Sequence, residues 1–134
     1  MEPAYLQGSL YLVNRAAYRL RPPRRGEVVV LRFPGGRSKV FLKRIVGLPE
    51  ERVNLALGRV LIDGRSLAEP YAHGGDPALD LEWTLGQGQF LVLGDNRDNS
   101  LDSRRWGPVR REDLVGRVSL KCWPGRPESR RGKI

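Results

Sequence analysis

A chain of 134 residues fits one domain and can bury a core, and a hydrophobic content of 40%, though on the low side, allows it. One cysteine, Cys122, excludes an internal disulfide framework and a thiolate metal site, and neither a metal nor a cofactor is expected. The net charge of +9, from 24 Lys and Arg against 15 Asp and Glu, suggests an anionic neighbour, either nucleic acid or a lipid surface.

The charge is a blunt guide, because the arginines are spread along the chain as well as clustered at 21–25, 104–111 and 126–131. No apolar run approaches the ~20 residues that cross a bilayer, and no signal-peptide core is visible, so the chain is expected to be soluble as it stands. Short apolar segments bounded by Gly, Pro and Asp predict strands over Ser9 to Val13, Glu27 to Phe33 and Lys39 to Gly47. Further strands are predicted over Arg52 to Leu55, Arg59 to Asp63, Gln89 to Leu93 and Leu114 to Trp123. Leu57-Gly58 and Asp63-Gly64 mark tight turns, the first closing a hairpin. No segment carries sustained helical periodicity, although residues 110–114 could form one helical turn. Residues 70–88, rich in Pro, Gly and acids, read as an irregular surface excursion, and 124–134 as a basic, disordered tail. The expected fold is therefore mainly β: one domain, residues 1–123, of short coiled antiparallel sheets. Cys122 reads as a small buried hydrophobe within Val118 to Trp123, and His73, beside Gly74-Gly75, as a loop residue.

Two segments carry candidate chemistry. The first runs from Gly94 to Gly107, directly after the apolar Phe90 to Leu93. Carboxylates at Asp95, Asp98 and Asp102 alternate with Arg97 and Arg104, with Ser100 and Ser103 between them. Such a run is either a solvated turn or a buried hydrogen-bond network in which each charge has a partner. The second is the strand Lys39 to Gly47. Alternation puts Phe41, Lys43 and Ile45 on one face and Val40, Leu42, Arg44 and Val46 on the other, so each face carries a cation among hydrophobes. One of these lysines could simply snorkel from an edge strand. Alternatively it sits in an apolar wall, where desolvation lowers its pKa and leaves an amine able to act as a general base. Ser100 is an available hydroxyl to hold that amine.

Taken together, Lys43-Arg44-Ile45-Val46-Gly47-Leu48-Pro49 and the Gly94 to Arg104 run resemble the paired signature of the type I signal peptidases, membrane-bound Ser/Lys endopeptidases. Met1-Glu2-Pro3 resembles the residues after the nucleophile in that family's Ser-Met-x-Pro motif. Arg24 to Val30, Asp63-Gly64-Arg65, Trp106 to Val109 and Leu114-Val115-Gly116 extend the resemblance over about residues 1–124. It departs at Ala4, where Thr is usual, and at Glu50, where Gly is usual.

The resemblance implies a signal-peptidase or self-cleaving-repressor-like β fold and a serine-type endopeptidase that removes signal peptides from exported preproteins. Lys43 would be the general base, Ser100 would orient it, and Asp102 with Arg104 would support Ser100. Substrate would add as a strand beside Met1, Val40, Phe41 and Leu42. The implied location is the outer face of the cell membrane, on anionic lipid, with no nucleic-acid partner. The family's serine immediately precedes the methionine aligned with Met1, so this chain is expected to be inactive, and truncation explains that better than loss in a pseudoenzyme. Two other readings stay open. One is a non-catalytic peptide- or membrane-binding domain of the same fold. The other is a basic nucleic-acid-binding β domain, for which Trp83, Trp106 and Trp123 show no spacing with the arginines that suggests a stacking platform.

Overall fold

The computed structural model describes residues 10–34 and 39–123. Strands dominate them: β1 (Leu10–Asn14), β2 (Val28–Arg32), β3 (Val40–Gly47), β4 (Arg52–Ala56), β5 (Arg59–Ile62), β6 (Arg65–Ser66), β7 (Asp80–Thr84), β8 (Gln89–Leu93), β9 (Val109–Arg110) and β10 (Leu114–Trp123). Two four-residue helices, α1 (Ala17–Leu20) and α2 (Ser103–Trp106), and a 3-10 turn over Arg111–Asp113 interrupt them. Every strand pairing is antiparallel. One sheet has the order β1-β10-β2-β3-β8-β9 and the other β6-β5-β4-β7.

The mainly β, antiparallel expectation holds, with strand ends moved by a residue or so. Both tight turns form as read: Leu57 and Gly58, then Asp63 and Gly64, all have positive φ, the geometry that closes a two-residue hairpin with the right twist. Residues 70–88 need correction. They contain β7, which pairs along its whole length with β4, from Arg52↔Thr84 to Ala56↔Asp80. Leu81 and Trp83 turn toward the core while Asp80, Glu82 and Thr84 face solvent. The alternation is present in the sequence but only five residues long, and the turn-forming residues around it conceal it.

Two cores lie against the sheets. The first gathers Ala17, Tyr18, Val29, Leu31, Ile45, Phe90, Val92 and Val109. The second gathers Val46, Val53, Leu55, Val60, Leu85, Leu91 and Leu93. β8 sends Phe90 and Val92 into one and Leu91 and Leu93 into the other, as a strand buried on both faces must. β3 does the same with Ile45 and Val46. Each fully buried side chain of this size contributes roughly 1.5–3 kcal/mol, so β3 and β8 are the firmest elements available to carry a site. The shared wall also explains Gly47: a Cβ there would stand 2.8–2.9 Å from Val53, Leu85 and Leu91.

Candidate active site

The site forms where β3 and β8 meet the loop that follows Leu93. Lys43 is only 7% exposed although it is a lysine. Its Nζ donates a 2.9 Å hydrogen bond to Ser100 Oγ. It also sits 5.7 Å from the centre of the Phe41 ring. Burial pushes the Lys43 pKa below its ordinary value. Asp102 and Asp95 oppose that shift, and Arg104 reinforces it.

The Gly94 to Gly107 run is a network rather than a solvated turn. Asp102 is fully buried and caps α2 by accepting from the Arg104 N–H. Its two oxygens also accept from Arg104 Nε and Nη2, each at 2.9 Å, and from the Gly94 N–H at 2.9 Å. Burial alone would raise this carboxyl, but the Arg104 guanidinium, the Gly94 N–H and the Ser100 hydroxyl hold it below the usual carboxylate range. Arg104 Nη1 donates to Arg97 O at 2.8 Å, and Arg97 Nε donates to Gly94 O at 2.8 Å. Arg97 then pairs with Glu69 at 2.6 Å. The Ser103 hydroxyl accepts the Val92 N–H at 3.0 Å, tying α2 to β8.

A second buried pair fastens the loop to β3. Arg44 grips Asp95 with Nε at 2.9 Å and Nη2 at 2.7 Å, a bidentate contact, and its Nη1 reaches Gly26 O. The guanidinium lies 4.1 Å from the centre of the Tyr71 ring. Lys43 and Arg44, adjacent on a strand, therefore point to opposite faces and meet two different parts of the same loop.

Of the residues singled out from sequence, the structure brings together Lys43, Ser100, Asp102 and Arg104. Val40, Phe41 and Leu42 lie on β3, with Val40 exposed and Phe41 packed against Phe33 and Trp106. Met1, the Cys122 side chain and the tail 124–134 lie outside the described residues. Trp83 and Trp106 pack against the two cores rather than forming a stacking platform. Residues 40–44 of β3 pair with β2 on one side. On the other side β8 pairs only from Arg44 onward. Among the described residues, the outer edge of Val40 to Lys43 therefore has no strand beside it, next to the buried amine.

Sequence reasoning missed the close approach at Gly94. A Cβ at that position would stand 2.0 Å from Ser100 Oγ and 3.6 Å from Lys43 Nζ. A glycine directly after a fully buried strand was the available signal. It also left Arg44 and Asp95 without assigned partners.

With this geometry in view, the comparisons with known proteins are decisive about family. The family described as "Signal peptidase, peptidase S26" matches residues 1–123, and the chain belongs to it. It is 40% identical over 131 residues to "Probable signal peptidase I-2" of Synechocystis, covering 92% of this chain and 59% of that protein. It is 33% identical to "Signal peptidase I V" of Bacillus subtilis, covering 89% of this chain and 78% of the relative. The crystal structure of a signal peptidase I from Enterococcus faecalis superposes with a TM-score of 0.64 at 28% identity, covering 74% of this chain and 98% of that one. The chain thus spans somewhat under two thirds of the length of the Synechocystis relative.

Proposed function

We propose that residues 1–123 carry the catalytic domain of a Ser/Lys endopeptidase that removes signal peptides from exported preproteins, with residues 124–134 as a basic tail. The observation that carries the reading is the Lys43–Ser100 hydrogen bond of 2.9 Å at a buried amine, beside a strand edge that is unpaired among the described residues. A serine hydroxyl at neutral pH is a weak nucleophile and needs a base within hydrogen-bond reach. The family resemblance places that serine immediately ahead of Met1.

Neutral Lys43 takes the serine proton as the serine oxygen bonds to the scissile carbonyl carbon. The resulting ammonium returns the proton to the leaving amine as the C–N bond breaks, leaving a serine ester on the acyl part. Lys43 then takes a proton from water as the water oxygen attacks the ester carbon. The ammonium gives that proton to the serine oxygen as the ester C–O bond breaks, which frees the serine and the carboxylic acid. Ser100 accepts a hydrogen bond from the amine and fixes its direction. Asp102, held by Arg104, fixes the Ser100 loop without touching substrate. The peptide adds as a strand along the edge of Val40, Phe41, Leu42 and Lys43 that is open among the described residues, and the family resemblance adds Met1 as a further contact; main-chain hydrogen bonds supply affinity and alternate side chains supply selectivity. The net charge of +9 favours work at an anionic membrane surface, on the outer face where signal peptides emerge.

The test uses the chain carrying an added Gly-Ser ahead of Met1, assayed in detergent on a preprotein with an Ala-x-Ala site. Cleavage at that site, lost in Lys43→Ala, is the expected result. Equal cleavage by the Lys43→Ala variant would remove Lys43 as the base. Peptide binding without any cleavage would favour a non-catalytic binding domain of the same fold.

A further inference from the structure

Residues 69–75, between β6 and β7, form no strand, yet they are fastened repeatedly to the loop that carries Ser100. The His73 N–H donates to Asp95 O at 3.0 Å and the Arg97 N–H donates to His73 O at 2.9 Å, a short parallel bridge opposite Asn96. The Gly75 N–H donates to Asp98 Oδ1 at 2.9 Å. Gly74 packs so closely that a Cβ there would stand 2.2–2.8 Å from the Asp98 carboxyl group. Glu69 accepts from Arg97 Nη2 at 2.6 Å and from Nη1 at 3.3 Å.

This strap reaches the buried amine by a short chain of contacts. Arg97 divides its guanidinium: Nη1 and Nη2 meet Glu69, while Nε donates to Gly94 O at 2.8 Å. Gly94 packs directly on the Ser100 hydroxyl that receives the Lys43 amine. A guanidinium is a rigid plane, so fixing its two outer nitrogens fixes where Nε points. Tyr71 braces the same carboxylate: its hydroxyl donates to Glu69 Oε1 at 3.3 Å, and its ring lies 4.1 Å from the Arg44 guanidinium. The Arg97 and Glu69 side chains are 3% and 8% exposed, so water does not replace either partner once the other is lost. The charges that shift the Lys43 amine belong to Asp102, Arg104 and Asp95. Glu69 is not among them, and its influence runs through contacts.

We propose that Glu69 is a positioning residue for the peptidase reaction. Through Arg97 and Gly94 it sets the place of Ser100, and so the direction of the Lys43 amine, with residues 70–75 as the strap that keeps it there. The inference rests on the peptidase reading above and adds a support from outside the Gly94 to Gly107 run. A carboxylate that only held up the fold would matter equally whatever side chain stood at position 100. A positioning carboxylate matters to the rate only while Ser100 has a hydroxyl to place.

The test is a double-mutant cycle in the serine-extended chain, with Glu69→Gln made alone and together with Ser100→Ala, assayed on the same preprotein well below each variant's Tm. Glu69→Gln keeps the shape and one acceptor oxygen but removes the charge. It should lower kcat about tenfold with KM little changed, by analogy with the loss of an orienting partner behind a metal ligand. In the Ser100→Ala background the same substitution should change kcat by less than about twofold, the spread expected of uncoupled sites. An equal loss in both backgrounds, or no loss in either, overturns the positioning role and leaves the peptidase reading intact. Should Glu69→Gln not fold, Tyr71→Phe takes its place in the cycle, since it removes only the hydroxyl that reaches Glu69. A loss of about two- to fivefold, confined to the chain that keeps Ser100, is then expected, and its absence overturns the role. A serine-extended parent that cleaves nothing overturns the peptidase reading and this inference with it.

Discussion

Gly94 and Ser100 approach so closely that no side chain fits between them: a Cβ on Gly94 would stand 2.0 Å from Ser100 Oγ and 2.5 Å from its Cβ. The same Gly94 gives its N–H to Asp102 and its carbonyl oxygen to Arg97. One residue thus sets the end of β8, the position of Ser100 and, through Ser100, the direction of the Lys43 amine.

Gly94→Ala should therefore damage catalysis more than stability. Gly94 is not at positive φ, so the added methyl acts through contact alone. Displacing Ser100 by about an ångström should lower kcat on the order of a hundredfold in the serine-extended chain. Overpacking of this kind costs about 1–3 kcal/mol of stability, so the variant should still fold. Ser100→Ala, which deletes the hydroxyl without crowding, should lower kcat by about 10–100-fold, by analogy with the loss of an orienting partner behind a metal ligand, with KM little changed. Turnover of Gly94→Ala at the parent rate would mean that the Lys43–Ser100 contact does not position the base.

The parts of this arrangement that sequence made legible are those fixed by local pattern. β2, β3 and β8 are dense in Val, Leu and Ile and bounded by turn residues, and Leu57-Gly58 closes its hairpin by residue type alone. Asp102 and Arg104 are two positions apart, so their pairing could be read directly. Arg44 and Asp95 are 51 residues apart, and nothing local says which of several arginines an aspartate will meet. Alternation alone could not say which cation of β3 was chemical, because each face carries one; the family resemblance pointed to Lys43. α1 and α2, four residues each, are too short to show a helical period, and β7 is hidden among Pro, Gly and Asp.

The lowered pKa of Lys43 gives two pH statements of fixed sign. On the proposed mechanism the base is the neutral amine, so kcat/KM should rise with pH along a limb lying below the ordinary lysine value of about 10.4. For stability, the unfolded chain holds this proton more tightly than the folded one. Charged Lys43 therefore destabilises the fold at every pH below its folded pKa, and the cost fades as pH rises toward the unfolded value. Lys43→Met, which keeps the stem and removes the charge, should abolish cleavage and raise Tm by about 2–6 °C at neutral pH. The gain should narrow at alkaline pH. A Tm that falls on this substitution would show that the ammonium stabilises the site through Asp102 and Asp95 more than burial penalises it.

Asp102 is the opposite case, a buried carboxylate that the fold prefers charged. Its pKa is held below the usual range, so its contribution is present above the unfolded value of about 3.9 and lost as pH falls through the folded one. Asp102→Ala removes four acceptor contacts at once. Arg104 loses its carboxylate in a largely buried position, the Gly94 N–H is left unsatisfied, and α2 loses its cap. Breaking such a pair costs about 3–5 kcal/mol, against ~0–1 for an exposed one. Asp102→Asn keeps the shape and one acceptor oxygen but not the charge, so it should fall between Asp102→Ala and the parent in Tm. It should also remove part of the acid-induced loss of stability. Because Asp102 acts on the base through the Gly94–Ser100 loop and through its own charge, and touches no substrate, both variants should lower kcat while leaving KM for a short peptide substrate nearly unchanged. Thermal midpoints read against pH, beside turnover for the same proteins, decide the matter. If Asp102→Ala melts and cleaves like the parent, the loop is held by Arg44–Asp95 and Arg97–Glu69 alone, and Asp102 has no part in placing Ser100.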